Sequence, residues 1–280
     1  MPSRFGLMLL TAVILTLGYR TMAFVKKDET DLEESVCGSL REPLAFWSFR
    51  RMAGTARPDR LSSLRDIERL SFITRDGRRL GGYKLRAAAP WGYLLVAQGN
   101  AMLVDQIASE LQFFRTLGLD LYLYDYRGYG LSEGKSRLKA LISDYQEIVA
   151  ALNTQGYRRR LLYGISMGGI ILLDAVGAEG DYDAAVIDSS PSRISPLGCP
   201  EHYDPVNHLP LDASRIMIIA GARDHVVSPG EMKELIAQAQ DRGAQVRLDP
   251  EFAHPFQDSA YAIHRRRFQA VADFLAQWRP

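Results

Sequence analysis

Cysteine is scarce: Cys37 and Cys199 are the only two in 280 residues. That is too few for a structural zinc cluster, and they lack metal-ligand spacing. One disulfide in an exported protein, or two buried thiols, remain open. An excess of charge is also missing. The 34 basic residues face 33 acidic ones, a formal net charge of +1, so no basic field concentrates nucleic acid. Long apolar runs are nearly absent. The one candidate, Phe5 to Tyr19, is uncharged for 15 residues between Arg4 and Arg20, short of the roughly 20 that a spanning helix needs. There is no internal repeat and no low-complexity tract. What is present, 47% hydrophobic and 24% charged residues, suits a folded domain and excludes disorder, collagen and a disulfide-stapled miniprotein.

The Phe5–Tyr19 run has the size of a signal peptide's apolar region, with Arg4 as its positive lead and Thr21-Met22-Ala23 as a cleavage site. Residues 1–25 are expected to be a signal peptide or an N-terminal membrane anchor. The protein is then exported, to the periplasm or the extracytoplasmic face of the membrane; a buried helix of a cytoplasmic protein is the alternative. Residues 26–67 begin with Lys26-Lys27 and an acidic patch from Asp28 to Glu34. An apolar-aromatic segment, Leu44 to Phe49, and a basic stretch with Pro58 follow. The expectation here is a tether with one or two short helices packed on the main domain.

From residue 68 the pattern is regular. Leu70–Thr74 and Leu80–Leu85, joined at Asp76-Gly77, read as a β-hairpin. Tyr93–Ala97, Asp120–Tyr124, Arg160–Gly164, Ala184–Asp188, Arg215–Ala220 and Ala244–Leu248 read as strands. Helical patterns at Val104–Leu117, Leu138–Leu152, Gly169–Val176, Pro229–Gln240 and Ala262–Trp278 alternate with them. The fold class is therefore α/β, a mostly parallel central β-sheet with helices on both faces. Such sheets bind ligands beyond the carboxyl ends of their strands, which makes the residues just after each strand the ones to inspect.

Gly164-Ile165-Ser166-Met167-Gly168 has the form G-x-S-x-G, directly after an apolar strand and before an apolar helix. A strand-to-helix turn that tight calls for glycine at 164 and 168. A second match, Gly130 to Gly134 around Ser132, lies well beyond its strand and reads as a loop. Ser166 is the candidate nucleophile. A serine hydroxyl needs an imidazole base oriented by a carboxylate. His254 follows the last strand, and Asp224 follows the strand Ile216–Ile219; Asp188 is the rival acid. His202 and His208 lie in irregular chain, His225 merely adjoins Asp224, and His264 reads as part of a solvated basic helix face.

At these residues the chain resembles the α/β-hydrolase superfamily, over roughly residues 68–280. The order Ser166, Asp224, His254 is that superfamily's order. Asp125-Tyr-Arg-Gly-Tyr-Gly130 is similar to the D-x-R-G-x-G loop of its esterase-like branches, Gly221-x-x-Asp224-x-x-Val227-x-Pro229 to its acid loop, and Gln98-Gly99-Asn100-Ala101 to its H-G-N-A loop. The resemblance implies an oxyanion hole built from the backbone N–H groups of Asn100 and Met167. Gln98 stands where the superfamily usually has His. Serine at the elbow speaks against dehalogenases and epoxide hydrolases, which place Asp there. The shape as a whole is similar to exported or membrane-tethered serine hydrolases of the esterase, lipase and depalmitoylase kind. They cleave an ester, thioester or amide through an acyl-enzyme, without metal or organic cofactor. Residues 189–212 are short and rich in proline, which predicts a small lid over an open site. The implied partners are a small-molecule or lipid-like acylated substrate and, through the N-terminal segment, a membrane; nucleic acid is not among them.

Two other classes compete. Tyr129 to Ser136 falls one glycine short of the phosphate-binding G-x-x-x-x-G-K-[ST] loop, because Tyr129 occupies the first glycine's place. Ser136 reads more simply as the N-cap of an exposed helix starting at Arg137. A non-catalytic binding protein on the same fold is the other alternative.

Overall fold

The computed structural model describes residues 32–178 and 180–280, so the expected signal peptide or anchor lies outside the described residues. Among the described residues no helix is long and apolar enough to cross a membrane. The first long helix, α1, spans Arg41–Ala53. The hairpin strands β1 (Ile67–Ile73) and β2 (Arg79–Leu85) follow, then β3 (Gly92–Ala97), α2 (Val104–Leu111), β4 (Leu119–Tyr124), α3 (Leu138–Asn153) and β5 (Arg159–Ile165). The second half runs α4 (Met167–Leu172), β6 (Ala184–Asp188), β7 (Ile216–Gly221), α5 (Pro229–Asp241), β8 (Gln245–Asp249) and α6 (Tyr261–Ala276).

These strands form one eight-stranded sheet in the order β1-β2-β4-β3-β5-β6-β7-β8. The β1–β2 and β2–β4 pairs are antiparallel, and every pair from β4 to β8 is parallel. Along β3 every residue is buried, and the side chains alternate between two cores. Tyr93, Leu95 and Ala97 pack with α1, α3, α4 and α5; Leu94 and Val96 pack with α2 and α6. Both faces are covered, which is why the central strands read as continuous apolar runs rather than as alternation. Burial of a leucine or valine such as Leu94, Leu95 or Val96 contributes about 1.5–3 kcal/mol.

Three helix expectations are corrected. The pattern from Val104 to Leu117 is α-helical only to Leu111 and tightens into a 3₁₀ segment from Gln112 to Leu117. Ser136 does not cap α3. Its hydroxyl donates to the Arg127 carbonyl, and the Leu138 N–H is met by the carboxylate of Glu42, on α1. That helix is largely buried, not exposed. His264 is also buried, because α6 turns His264, Arg267, Phe268, Val271 and Leu275 toward the sheet and leaves Arg265 outside.

Two buried arginines join sequence-distant parts. Arg127 donates to Asp144 on α3 and to Asp76 in the hairpin turn. Arg267, on α6, lies 2.6 Å from Asp188 at the end of β6 and 3.2 Å from Asp258; all three side chains are fully buried. Removing one partner of such a pair leaves an uncompensated buried charge. Arg267→Met is expected to lose about 3–5 kcal/mol of unfolding free energy in urea titration. A loss below about 1 kcal/mol would show that the two carboxylates do not depend on this cation.

Candidate active site

Ser166 stands between β5 and α4 with φ +54° and ψ −116°, a conformation that side chains other than glycine rarely adopt. Its N–H donates to the Asp188 carbonyl at 2.8 Å, and its carbonyl accepts from the Gly169 N–H at 3.0 Å and the Ser190 hydroxyl at 2.6 Å. The flanking glycines are required by close approach. A Cβ at Gly164 would lie 2.6 Å from the Gly169 Cα, and one at Gly168 would lie 1.9 Å from the Ala97 carbonyl oxygen. The chain therefore meets the condition for holding a serine out on a strained turn at the end of a strand.

Asp224 follows β7. Its Oδ1 accepts from the N–H groups of Val226 and Val227, and its Oδ2 lies 2.8 Å from His254 Nδ1. Burial by itself would raise this carboxyl. The hydrogen bond to His254 and the two backbone donors outweigh that and hold it below the ordinary carboxylate value. His254 lies in the connection between β8 and α6. The backbone beside it is braced, because the Ala253 carbonyl accepts from Arg267 and the Ala253 N–H donates to Asp258. The structure thus brings Asp224 and His254 together. Among the described residues no hydrogen bond joins the Ser166 hydroxyl to His254.

The other strand-end candidates have different partners. The Asp188 carboxylate is taken by Arg267, by the Tyr163 hydroxyl at 3.0 Å and by the Ser189 hydroxyl at 3.1 Å. Burial lifts it above its ordinary value, against the pull of Arg267. The Ser132 hydroxyl donates to the Asp125 carbonyl and accepts from the Gly81 N–H, which makes it a stitch between loop and hairpin. His225 is exposed. In the phosphate-loop candidate, the Lys135 N–H already donates to the Glu33 carboxylate and the Leu131 N–H to the Asp125 carboxylate. A loop whose donors face a carboxylate is no anion cradle.

Asn100, Ser166 and Met167 line one cavity of about 740 Å³. Among the described residues the backbone N–H groups of Asn100 and Met167 have no acceptor. The Asn100 side chain is held by the Tyr129 hydroxyl at 2.7 Å. Gln98 lies outside this cavity, fully buried, with its carbonyl accepting from Tyr126. The remaining walls are mostly apolar. The segment after β6 supplies Ile194, Leu197 and Cys199, the acid loop supplies Val226 and Val227, and α1 supplies Arg41, Phe46 and Phe49.

The sequence placed one or two short helices packed on the main domain in this segment, but gave them no part in the site. The usable signal was there: Glu42, Phe46, Phe49 and Ala53 recur at helical spacing. Two links fix that wall. Glu42 is buried and accepts from the N–H groups of Val36, Cys37 and Leu138. Cys37 and Cys199, left open above, are joined in a disulfide that crosses the cavity's edge.

Known proteins share this architecture. The family model for serine aminopeptidases (S33) matches residues 88–200. An uncharacterized protein of Escherichia coli K12 is 24% identical over 74% of this chain and 80% of its own length. An uncharacterized membrane protein of Saccharomyces cerevisiae is 26% identical over 60% of this chain, which spans 66% of that protein. Human alpha/beta hydrolase domain-containing protein 17C is 28% identical over 61% of this chain, which spans 56% of that protein. Among solved structures, the esterase Pf2001 of Pyrococcus furiosus superposes with a TM-score of 0.65, at 17% identity, over 81% of this chain and 98% of its own. An a/b serine hydrolase without lid from Xanthomonas campestris gives 0.60, at 15% identity, over 77% and 96%. These likenesses establish the fold.

The depressed Asp224 carboxyl has a consequence for stability. An acid whose folded-state value lies below its unfolded one stabilises the fold at pH above the unfolded value, about 3.9, and loses that contribution as pH falls through the folded one. Asp224→Asn is therefore expected to cost more unfolding free energy at pH 7 than at pH 3 in paired urea titrations. An equal cost at both pH values would contradict the linkage.

Proposed function

We propose that the chain, whose fold and sequence matches are those of the α/β-hydrolase superfamily, is a serine hydrolase of the esterase-like kind, acting on an ester or thioester with an extended acyl group. The observation that carries this reading is the Asp224–His254 hydrogen bond at the same strand-end rim as Ser166, beside an apolar cavity. In the proposed reaction His254 accepts the Ser166 proton as the hydroxyl oxygen attacks the acyl carbonyl. Asp224 keeps the ring oriented and offsets the positive charge it gains. The oxyanion accepts hydrogen bonds from the N–H groups of Asn100 and Met167, donors of a type that contribute about 3–4 kcal/mol each when preorganised. The bond to the leaving group breaks as His254 returns the proton to it. Water then repeats the sequence on the acyl-enzyme and releases the acid.

Ester or thioester is favoured over a peptide's amino end by the cavity's chemistry. A free ammonium would need a carboxylate acceptor, and the carboxylate in the lining, Glu42, is already occupied by three backbone donors. Action outside the cytoplasm, at the membrane or in the periplasm, is supported by the signal-like segment and by the disulfide, which persists in oxidising compartments.

A fluorophosphonate probe with peptide mapping is expected to label Ser166. Ser166→Ala should lose turnover by at least about 10⁴-fold, while Ser132→Ala stays within about twofold. Labelling at Ser132, or labelling at Ser166 without turnover of any ester, would overturn the reading. Across a series of straight-chain esters, kcat/KM should rise about fourfold per added methylene until the cavity is filled. A flat series would remove the acyl-binding role.

A further inference from the structure

Helix α1 has two working faces. Glu42, Phe46, Phe49 and Ala53 turn inward to the core and the cavity. On the opposite side Leu40, Leu44 and Trp47 follow at helical spacing and are 76%, 61% and 55% exposed. Arg51 continues that line, with its guanidinium 5.8 Å from the Trp47 ring centre. Three adjacent large apolar side chains in water are costly for a surface with no partner.

The surroundings say what the partner is. Arg50 and Arg51 are exposed beside the stripe, and Lys135 and Arg137 share a shallow surface concavity with Trp47. Two acids on this flank are engaged elsewhere: Glu42 is buried on backbone donors, and Glu33 pairs with Arg78 and Arg127. Leucine and tryptophan bordered by cations fit the interface of an anionic lipid layer, with the rings at headgroup depth and the cations on phosphate. The same helix walls the cavity, whose edge carries the exposed Leu197 and Val226. Only residues 20–39 separate this face from the uncharged Phe5–Tyr19 run.

We propose that the outer face of α1 docks on an anionic lipid surface and sets the edge of the Ser166 cavity against it, so that the substrate is a membrane-borne long-chain acyl ester or thioester. The docking stands on the α1 surface alone, whereas the substrate class rests on the hydrolase reading above.

The test uses the full-length chain carrying Ser166→Ala in vesicles of phosphatidylcholine and phosphatidylglycerol with brominated acyl chains. Subtracting the same protein with Trp47→Phe isolates the Trp47 emission. That emission is expected to be quenched by about half or more, and less without phosphatidylglycerol, because bromine quenches only rings at bilayer depth. In the otherwise native chain, Leu44→Asp should lower turnover of a vesicle-borne long-chain ester about tenfold and leave that of a soluble short-chain ester within about twofold. Unquenched Trp47 emission overturns the docking. So does a dimer in sedimentation that Leu44→Asp converts to monomer, which would make this face a contact between copies. Fluorophosphonate labelling of Ser166 with Trp47 unquenched removes the docking alone; quenched Trp47 without that labelling removes the hydrolase reading alone.

Discussion

The buried Arg267 guanidinium is the point on which the rim of the sheet depends. It sits on α6, yet its donors reach Asp188 at the end of β6, Asp258 in the preceding loop and the carbonyl of Ala253 beside His254. One cation thus ties the last helix, a central strand and the loop carrying the imidazole into a single body. Ionised groups are tolerated at full burial only when each charge is met and its remaining hydrogen-bonding capacity is used. Here two carboxylates and a carbonyl meet the guanidinium. The same network keeps Asp188 occupied, which leaves Asp224 to hold the imidazole.

The site is assembled from segments far apart in the chain, and each brings a different constraint. The elbow after β5 supplies a serine on a strained turn that two flanking glycines make possible. The loop after β7 supplies a carboxylate kept ionised by two backbone donors and the imidazole. The wall of the cavity comes from outside the regular alternation of strand and helix. It is held by Glu42, which spends both oxygens on backbone donors of its own segment and of α3, and by the disulfide to Cys199. A buried carboxylate with three donors and a covalent link across 162 residues fix α1 on the domain, as a packed helix of the expected kind that also walls the cavity.

That arrangement gives α1 its second face. A helix pressed against a cavity on one side cannot bury the other within the same domain, so Leu40, Leu44 and Trp47 remain outside. Long-chain acyl substrates present a related difficulty, because their chains are insoluble until a protein or a bilayer shelters them. In the proposed docking both apolar surfaces meet the same lipid layer, and the chain passes from one apolar medium to another without crossing water.

Much of this protein was legible as a string of residues. The strand at Ala184–Asp188 matches its predicted bounds because a run of five apolar and acidic residues, buried on both faces, admits little else. Ser166 stood out from Ser132 because a strand ran into it and a helix ran out. Local pattern determines such features, since propensity and periodicity act over a few residues. The pairing of Asp224 with His254, the burial of His264, the cap that Glu42 gives α3 and the cavity wall from α1 were settled only by tertiary contacts. Each depends on which distant segment arrives to pack against a face or to satisfy a charge or a bare N–H; spacing along the chain can mark an inward face but does not name what it meets.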